Sequence, residues 1–180
     1  NHEYIEPRFL HAAAAGQAFD SGDVPMNEDG TRDPDHVLKE LAAHGVSVVR
    51  VQRGADGNWT QVEDSHNRRI HALTPIAIGG PVKGSDLVKT KYSPTGEMTR
   101  GTINNCAHGV TPWNTYMAAE ENWAGYFTNT DTEDQKPSQP REHARYGVRE
   151  GTSRYGWELA AGGADEHAEG GVVADDDNVC

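Results

Sequence analysis

The sequence is poor in cysteine and in basic residues, and it has no long hydrophobic run. Two cysteines among 180 residues are too few for a disulfide framework, and the second, Cys180, is the last residue. No apolar run approaches the roughly 20 residues that a membrane helix needs, so we expect no membrane span. The 16 basic residues face 28 acidic ones, for a formal net charge of −12. This balance argues against nucleic acid as a partner, because phosphate contacts need clustered lysine and arginine.

Three common catalytic motifs are also missing. The sequence has no G-x-S-x-G elbow of serine hydrolases, no G-x-x-x-x-G-K-[ST] phosphate loop and no H-E-x-x-H zinc helix. Its nine histidines show no close-paired metal spacing. For His2 and His108, which stand beside other informative residues, a hydrogen-bonding role is favoured over a ligand role.

Turn residues and short apolar segments predict a mostly β chain with one inserted helix. Asp33 and Pro34 suit a helix start, and Gly45 suits its end. The segment 11–33 is predicted to be a loop with one helical turn near 12–18. Short strands are predicted at 46–53, 59–63, 70–73, 76–78, 86–90, 99–103 and 115–120.

Cys106 and two adjacent glutamates form a candidate metal-binding motif in GTINNCAHGVTPWNTYMAAEEN, residues 101–122. The cysteine is predicted to lie in a tight turn, and the strand-like run after it ends at Glu120 and Glu121. Strand alternation directs Glu120 and Glu121 to opposite faces, so only one of them can point inward. A thiolate suits iron, copper or zinc, and carboxylates suit calcium, magnesium or manganese. From these residues alone, a buried hydrophobic cysteine beside solvated glutamates is the alternative.

Four segments, in order, resemble the PhoX family of bacterial alkaline phosphatases. They are NHEYIEP (1–7), GNWTQVEDSHNRRIHALTP (57–75), GGPVKGSDLVKTKYSPTGE (79–97) and the cysteine segment (101–122). Asn114 departs from the family pattern, which usually has glycine there, and Met117-Ala118 replaces Leu-Thr. Beyond Phe127 the likeness thins to RYG at 145–147 and YGW at 155–157.

The resemblance implies a partial β-propeller, with two to three blades of a six-bladed propeller in this chain. Residues 1–130 would form N-terminal blades, and residues 131–180 an insertion and an acidic tail of the same domain. Because the chain begins inside a motif and ends in an acidic run, we expect an internal fragment of a longer monomeric protein. Such a piece would have open strand edges and no activity alone. Family members typically carry an export signal, which implies a periplasmic or extracellular location.

The resemblance also implies hydrolysis of small-molecule phosphate monoesters by a mixed iron–calcium cluster. It assigns catalytic metal ligation to Glu3, Cys106, Glu120 and Glu121, with Cys106 on iron and Glu3 on iron or calcium. One of the adjacent glutamates would bind metal and the other would be structural. Metals in such a cluster clamp and neutralise phosphate oxygens, so that no side-chain nucleophile is required.

Two other functions remain as alternatives. A calcium-dependent lactonase or esterase on a similar propeller would need the glutamates but not a thiolate, so iron content separates it from a phosphatase. A non-catalytic propeller binding module would keep the strands while metals were absent or structural.

Several polar and aromatic residues have a structural and a functional interpretation. Arg68 and Arg69 suit a phosphate group, although capping a hairpin and pairing with Glu63 or Asp64 is favoured. The asparagines and the tryptophan of the cysteine segment are expected to fix its loop or to pack, rather than to bind metal or substrate. These residues are Asn104, Asn105 and Trp113.

Overall fold

The computed structural model describes residues 1–15, 23–90, 92–129 and 141–160. The first part of the predicted insertion, at 130–140, and the acidic tail at 161–180 lie outside the described residues, as do residues 16–18 of the predicted helical turn. In the described part, no helix is both long enough and apolar enough to cross a bilayer.

Three α-helices are described: α1 (Pro7–Ala15), α2 (Pro34–Ala43) and α3 (Arg141–Tyr146). Helix α2 confirms the predicted inserted helix. The Asp33 carboxylate accepts a first-turn backbone N–H, and proline occupies the first helical position, as suits a helix start. Gly45 follows the helix with a φ of 101°, a conformation that favours glycine. Helix α1 begins earlier than the helical turn predicted near 12–18.

The strands of the described residues pair into five two-stranded sheets. Four sheets are antiparallel, namely β1 with β4, β2 with β3, β5 with β6 and β7 with β8, and β9 pairs with β10 in parallel. The strands are β1 (Val46–Val48), β2 (Val51–Arg53), β3 (Trp59–Gln61), β4 (Arg68–Ile70), β5 (Pro75–Ala77), β6 (Met98–Arg100), β7 (Asn105–Val110), β8 (Tyr116–Glu120), β9 (Thr128–Asn129) and β10 (Arg149–Glu150). The mostly β architecture is therefore confirmed. Four-stranded blades are not observed among the described residues, so the propeller stays a prediction.

Three strand predictions need correction. The run 46–53 is two strands, because β1 pairs with β4 whereas β2 turns back onto β3. The predicted strand at 86–90 is a 3-10 helix, Asp86–Val88, and the Lys89 ammonium donates to the Asp86 carboxylate across it at 2.6 Å. The cysteine lies in strand β7 rather than in a turn, and the turn comes later, where the Thr111 N–H donates to the Thr115 carbonyl at 2.8 Å.

The hydrophobic core joins α2 to residues that follow β4, β6, β8 and β10. Its buried members are Val37, Leu41, Ala72, Ile103, Tyr126, Tyr155, Trp157 and Ala160. Each large side chain among them stabilises the fold by about 1.5–3 kcal/mol through burial. Tyr155 and Trp157 belong to the YGW segment, which thus packs in the same core as α2.

A buried ionic cluster is centred on Glu40 of α2. Its carboxylate accepts hydrogen bonds from the Arg32 guanidinium at 2.5 Å, the His11 ring at 2.7 Å and the Trp157 indole at 2.8 Å. The side chains of Arg32, His11 and Glu40 are fully buried. Because every partner is present, the charge of Glu40 is compensated, and the cluster ties both long helices to the YGW segment.

Candidate metal centre

The N-terminal residues connect the end of α2 to the β7–β8 hairpin. The Asn1 amide donates to the Cys106 carbonyl at 2.9 Å and lies 3.1 Å from the His108 ring nitrogen. The backbone of His2 pairs with Gly45, with the His2 N–H donating to the Gly45 carbonyl at 2.7 Å. These contacts fix the backbone just before Glu3, and they therefore place Glu3 near Cys106.

Glu3, Cys106 and Glu121 converge into an acidic triad with one thiol. One donor atom from each lies within 4.8 Å of the other two. Dividing that separation by √3 shows that some point lies within about 2.8 Å of all three atoms, close to the 2.3–2.6 Å of calcium–oxygen bonds. The arrangement can therefore hold a cation with little adjustment.

Local backbone irregularity positions the thiol of this triad. The β7–β8 pairing shifts register between Asn105 and His108, which is the stretch that contains Cys106. Such bulges redirect side chains and are common beside functional sites. Glu121 follows β8 directly, and its N–H donates to the Asn104 carbonyl at 2.9 Å. The start of β7 and the end of β8 thus each place one donor atom at the open end of the hairpin.

Glu120 lies apart from the triad. Its carboxylate accepts a hydrogen bond from the Thr102 hydroxyl at 2.5 Å and another from the Ile103 N–H at 2.9 Å. Alternation along the strand explains why adjacent glutamates have different partners. The structure thus brings together three of the four predicted ligands, and Glu120 contacts the loop before β7.

The electrostatics of the triad favour a cation. A hydrogen bond to the Glu121 carboxylate, together with partial desolvation and the charges of Glu121 and Glu3, raises the pKa of the Cys106 thiol to about 11. Among the described residues, no ion pair involves Glu3 or Glu121. A metal ion would supply the missing positive charge and deprotonate the thiol.

The arginine pair of the second motif has a structural role in the described fold. Arg69 donates to two main-chain carbonyls at the C-terminal end of α2, at 2.5 Å and 3.2 Å. Arg68 donates to the His66 carbonyl at 3.0 Å. The predicted pairing with Asp64 is wrong, because Asp64 pairs with Arg50 and His66 instead, and hydrogen bonds from both lower its pKa to about 2.

Two residues at the tip of the β7–β8 hairpin bear on the sequence predictions. Trp113 was expected to pack, and Asn114 stands where the family pattern usually has glycine. Trp113 is 75% exposed, so it does not pack against the described residues. Asn114 has a φ of 64°, in the left-handed region that favours glycine and that asparagine tolerates best among other residues. The replacement of the usual glycine is therefore compatible with an unchanged turn.

Sequence reasoning missed three contributors to this site. Asn1 and Tyr4 belong to the opening motif with Glu3, and the Tyr4 hydroxyl accepts a hydrogen bond from the Asn122 amide at 2.8 Å. Thr102 connects Glu120 to the Asn105 amide, which donates to its hydroxyl at 2.8 Å. Their membership in the motif segments was the available signal.

Comparison with known proteins gives a consistent result. The family model described as "Alkaline phosphatase PhoX" matches residues 1–167. The structure is similar to that of Pseudomonas fluorescens PhoX in complex with vanadate, a transition state analogue, with a TM-score of 0.69 and 35% sequence identity. That similarity covers 89% of this chain but only 25% of the Pseudomonas chain. No curated protein sequence matches. The chain therefore belongs to the PhoX alkaline phosphatase family.

Proposed function

We propose that the complete protein is an alkaline phosphatase that hydrolyses small phosphate monoesters, with Glu3, Cys106 and Glu121 as metal ligands. The convergence of one thiol and two carboxylates within 4.8 Å, with no ion pair to either carboxylate in the described part of the chain, carries this proposal. Family membership and the vanadate complex of the Pseudomonas relative support it, because vanadate is an oxyanion and a transition state analogue in that protein.

The donor set fits a mixed iron–calcium centre. Cys106 would hold iron through its thiolate, because soft sulfur ligands suit iron better than calcium. Glu3 and Glu121 would supply hard oxygen donors suited to calcium, and a carboxylate can also bridge to iron. When bound, the two metals would neutralise charge on the phosphate oxygens during the reaction.

The remaining motif residues would keep these donors in place. Glu120 would act through Thr102 and the backbone of Ile103, on the loop that leads into β7. Asn1 would hold the opening segment against the Cys106 carbonyl. Such supporting contacts fix the orientation of metal ligands and tune their affinity.

The propeller, the division at residue 130, the monomeric parent and the exported location belong to the same proposal. All four rest on family membership. The described sheets have two strands each and so do not by themselves make a propeller. We infer that the triad needs the rest of the protein for turnover, because this chain spans only 25% of the Pseudomonas relative.

Chelation and stepwise metal restoration test the proposal. The complete protein, stripped of metal, is assayed on an aromatic phosphate monoester, and in parallel on an aromatic carboxylic ester. We expect phosphatase activity to return only with iron and calcium together. Recovery with zinc and magnesium, but not with iron and calcium, would refute the metal assignment. Ester hydrolysis with calcium alone would favour the lactonase or esterase alternative.

Cys106 is only half-buried, so the alternative of a buried hydrophobic cysteine is wrong, and Cys106→Ser in the same protein separates a metal ligand from a structural thiol. Serine is nearly isosteric, but its hydroxyl is a hard and weakly acidic donor that replaces a thiolate poorly on iron. We expect loss of bound iron and of turnover per folded molecule, while Cys180→Ser leaves both unchanged. Normal iron content and rate in Cys106→Ser would contradict the ligand role.

A further inference from the structure

Asn104 connects the acidic triad to the interior of the protein. Its side chain is fully buried, and its backbone has a φ of 44°, in the left-handed region. Its carbonyl accepts the Glu121 N–H at 2.9 Å, and it precedes Cys106 by two residues. Any shift of Asn104 therefore moves the backbone of two members of the triad.

The side chain of Asn104 begins a chain of buried hydrogen bonds. Its amide nitrogen donates to the Tyr126 hydroxyl at 2.9 Å, and that hydroxyl lies 3.1 Å from His44 Nε2. On the other side of the ring, His44 Nδ1 lies 2.8 Å from the Glu40 carbonyl oxygen. The chain thus runs from the loop before β7 to the C-terminal end of α2.

The protons of this chain can be placed from hydrogen-bonding capacity alone. A carbonyl oxygen only accepts, so His44 Nδ1 carries the hydrogen that bonds to Glu40. In the neutral ring Nε2 is then an acceptor, so the Tyr126 hydroxyl donates to it and accepts from Asn104. Burial lowers the pKa of His44, which is consistent with the neutral ring. Each link from Asn104 to Glu40 thus has one donor and one acceptor, and the Tyr126 hydroxyl keeps a second acceptor site for its hydrogen bond with Tyr155.

The far end of the chain is rigid. Glu40 accepts three buried hydrogen bonds from other elements, and the Arg69 guanidinium donates to the His44 carbonyl at 3.2 Å. The rings of Tyr126, His44 and Trp157 contact one another with centroids 5.3–5.4 Å apart. Tyr126 therefore has little freedom to move, and its hydroxyl presents a fixed partner to Asn104.

We propose that Tyr126 and Asn104 are positioning residues that hold Glu121 and Cys106 at the separation that metal binding requires. This inference rests on the proposed metal centre. Neither residue belongs to the triad itself. Tyr126 acts through Asn104, and Asn104 acts through the backbone that it shares with the triad.

Tyr126→Phe in the complete protein tests this role, with Tyr155→Phe as the matched control. Tyr155 is equally buried, at 4% against 5% exposure, and its ring lies 5.4 Å from that of Tyr126. Its side chain hydrogen-bonds that of Tyr126 and not Asn104 in the described structure, so Tyr155→Phe leaves the link between Tyr126 and Asn104 in place. Both changes delete one buried hydroxyl, so both should lower the melting temperature. Only Tyr126→Phe should disturb the triad.

The readout is Co²⁺ binding to the metal-free protein, followed by thiolate-to-cobalt absorption, which does not depend on phosphatase activity. We expect Tyr126→Phe to weaken Co²⁺ binding about 10–100-fold, the usual effect of losing a residue that orients ligands. Tyr155→Phe should bind as the wild type does. Equal affinity in Tyr126→Phe and wild type, or equal losses in both variants, would overturn the proposal.

A second variant keeps the test decisive if Tyr126→Phe folds poorly. Asn104→Gly removes the amide but permits the same left-handed backbone and keeps the carbonyl that binds Glu121. Asn104→Gly should weaken Co²⁺ binding as Tyr126→Phe does, and the double variant should be no weaker than either. Additive losses would show independent effects and overturn the proposal. Absence of the thiolate–cobalt band in the wild type would instead refute the metal centre, and this inference with it.

Discussion

The adjacent pair Glu120 and Glu121 offers the sharpest test of the metal centre. Each is changed to glutamine, which keeps the size and one oxygen acceptor of the side chain but removes its charge. The two residues are neighbours at the end of β8, and both are exposed. Differences between Glu120→Gln and Glu121→Gln should therefore reflect what each carboxylate contacts.

The structure predicts unequal effects on metal affinity. Glu121 supplies one of the three donor atoms of the triad that converge within 4.8 Å, so its charge would act directly on a bound cation. Loss of a residue that merely orients ligands typically weakens metal binding 10–100-fold, so we expect more than about 100-fold for Glu121→Gln. Glu120 contacts only Thr102 and Ile103, and glutamine still accepts both hydrogen bonds, so we expect less than about 10-fold for Glu120→Gln, below the range for complete loss of an orienting residue.

Protein stability should show the opposite order. Glutamine at 120 accepts the hydrogen bonds from Thr102 and Ile103 without charge assistance, which costs about 1 kcal/mol in the free energy of unfolding. In the metal-free protein, Glu121→Gln removes the repulsion between the Glu121 and Glu3 carboxylates and keeps an oxygen acceptor for the Cys106 thiol, so it should not destabilise the protein.

The assay combines Co²⁺ titration of the metal-free complete protein with urea unfolding of the same samples. Comparable affinity losses in the two variants would show that strand alternation does not separate their roles. A larger loss for Glu120→Gln than for Glu121→Gln would refute the assignment of Glu121 as the ligand.

Three further predictions follow from the described contacts. In the metal-free protein, iodoacetamide should alkylate Cys106 roughly 100-fold more slowly at pH 8 than an ordinary thiol, because its pKa is raised from 9.0 to about 11 and only the thiolate reacts. The rate should climb as the pH rises towards 11, and an ordinary rate at pH 8 would contradict the geometry of the triad. Glu40→Gln should lower the free energy of unfolding by about 3–5 kcal/mol, because Arg32 is left buried without its charge partner, whereas Glu97→Gln at the exposed Lys83 pair should lower it by at most about 1 kcal/mol. Equal values in chemical denaturation would show that Arg32 and Glu40 are not a coupled buried pair. Gly45→Ala should destabilise the protein by at least about 2 kcal/mol more than Gly30→Ala. Both glycines have a positive φ, but a Cβ at Gly45 would lie 2.0 Å from the Ile70 carbonyl oxygen, whereas a Cβ at Gly30 would meet no atom within 4 Å. Similar melting temperatures for the two variants would rule out the clash.

The acidic triad was predictable from the sequence only in part, through motif resemblance and strand alternation. Resemblance supplied Glu3 and Cys106, and alternation showed that Glu120 and Glu121 could not both face inward. The choice between them depends on the register of β7 against β8 and on the bulge near Cys106, and neither is encoded in a local pattern. Three-dimensional pairing was needed to settle which carboxylate meets the thiol.

The buried polar cluster could not be predicted, for a different reason. Arg32, Glu40 and His11 have the composition of a solvated helical surface, and nothing nearby in the sequence marks them as buried. Their burial depends on Trp157, which lies 117 residues beyond Glu40. The strand Asn105–Val110 was not predicted for a similar reason. Its asparagine, glycine and histidine content suggests a turn, and it is a strand because it pairs with β8.

The contact between Asn1 and Cys106 spans 105 residues, and it makes the acidic triad a cross-link as well as a ligand set. Closing a loop of that length costs on the order of 4 kcal/mol in chain entropy, which the hydrogen bonds between the opening segment and the β7–β8 region, at about 1 kcal/mol each, offset only in part. An ion shared by Glu3, Cys106 and Glu121 would hold this loop closed. We therefore expect metal removal to free the opening segment before any other part of the fold. Faster hydrogen exchange at residues 1–4 after chelation, with α2 still protected, would show this order of release, and unchanged exchange would show that the segment is held without metal.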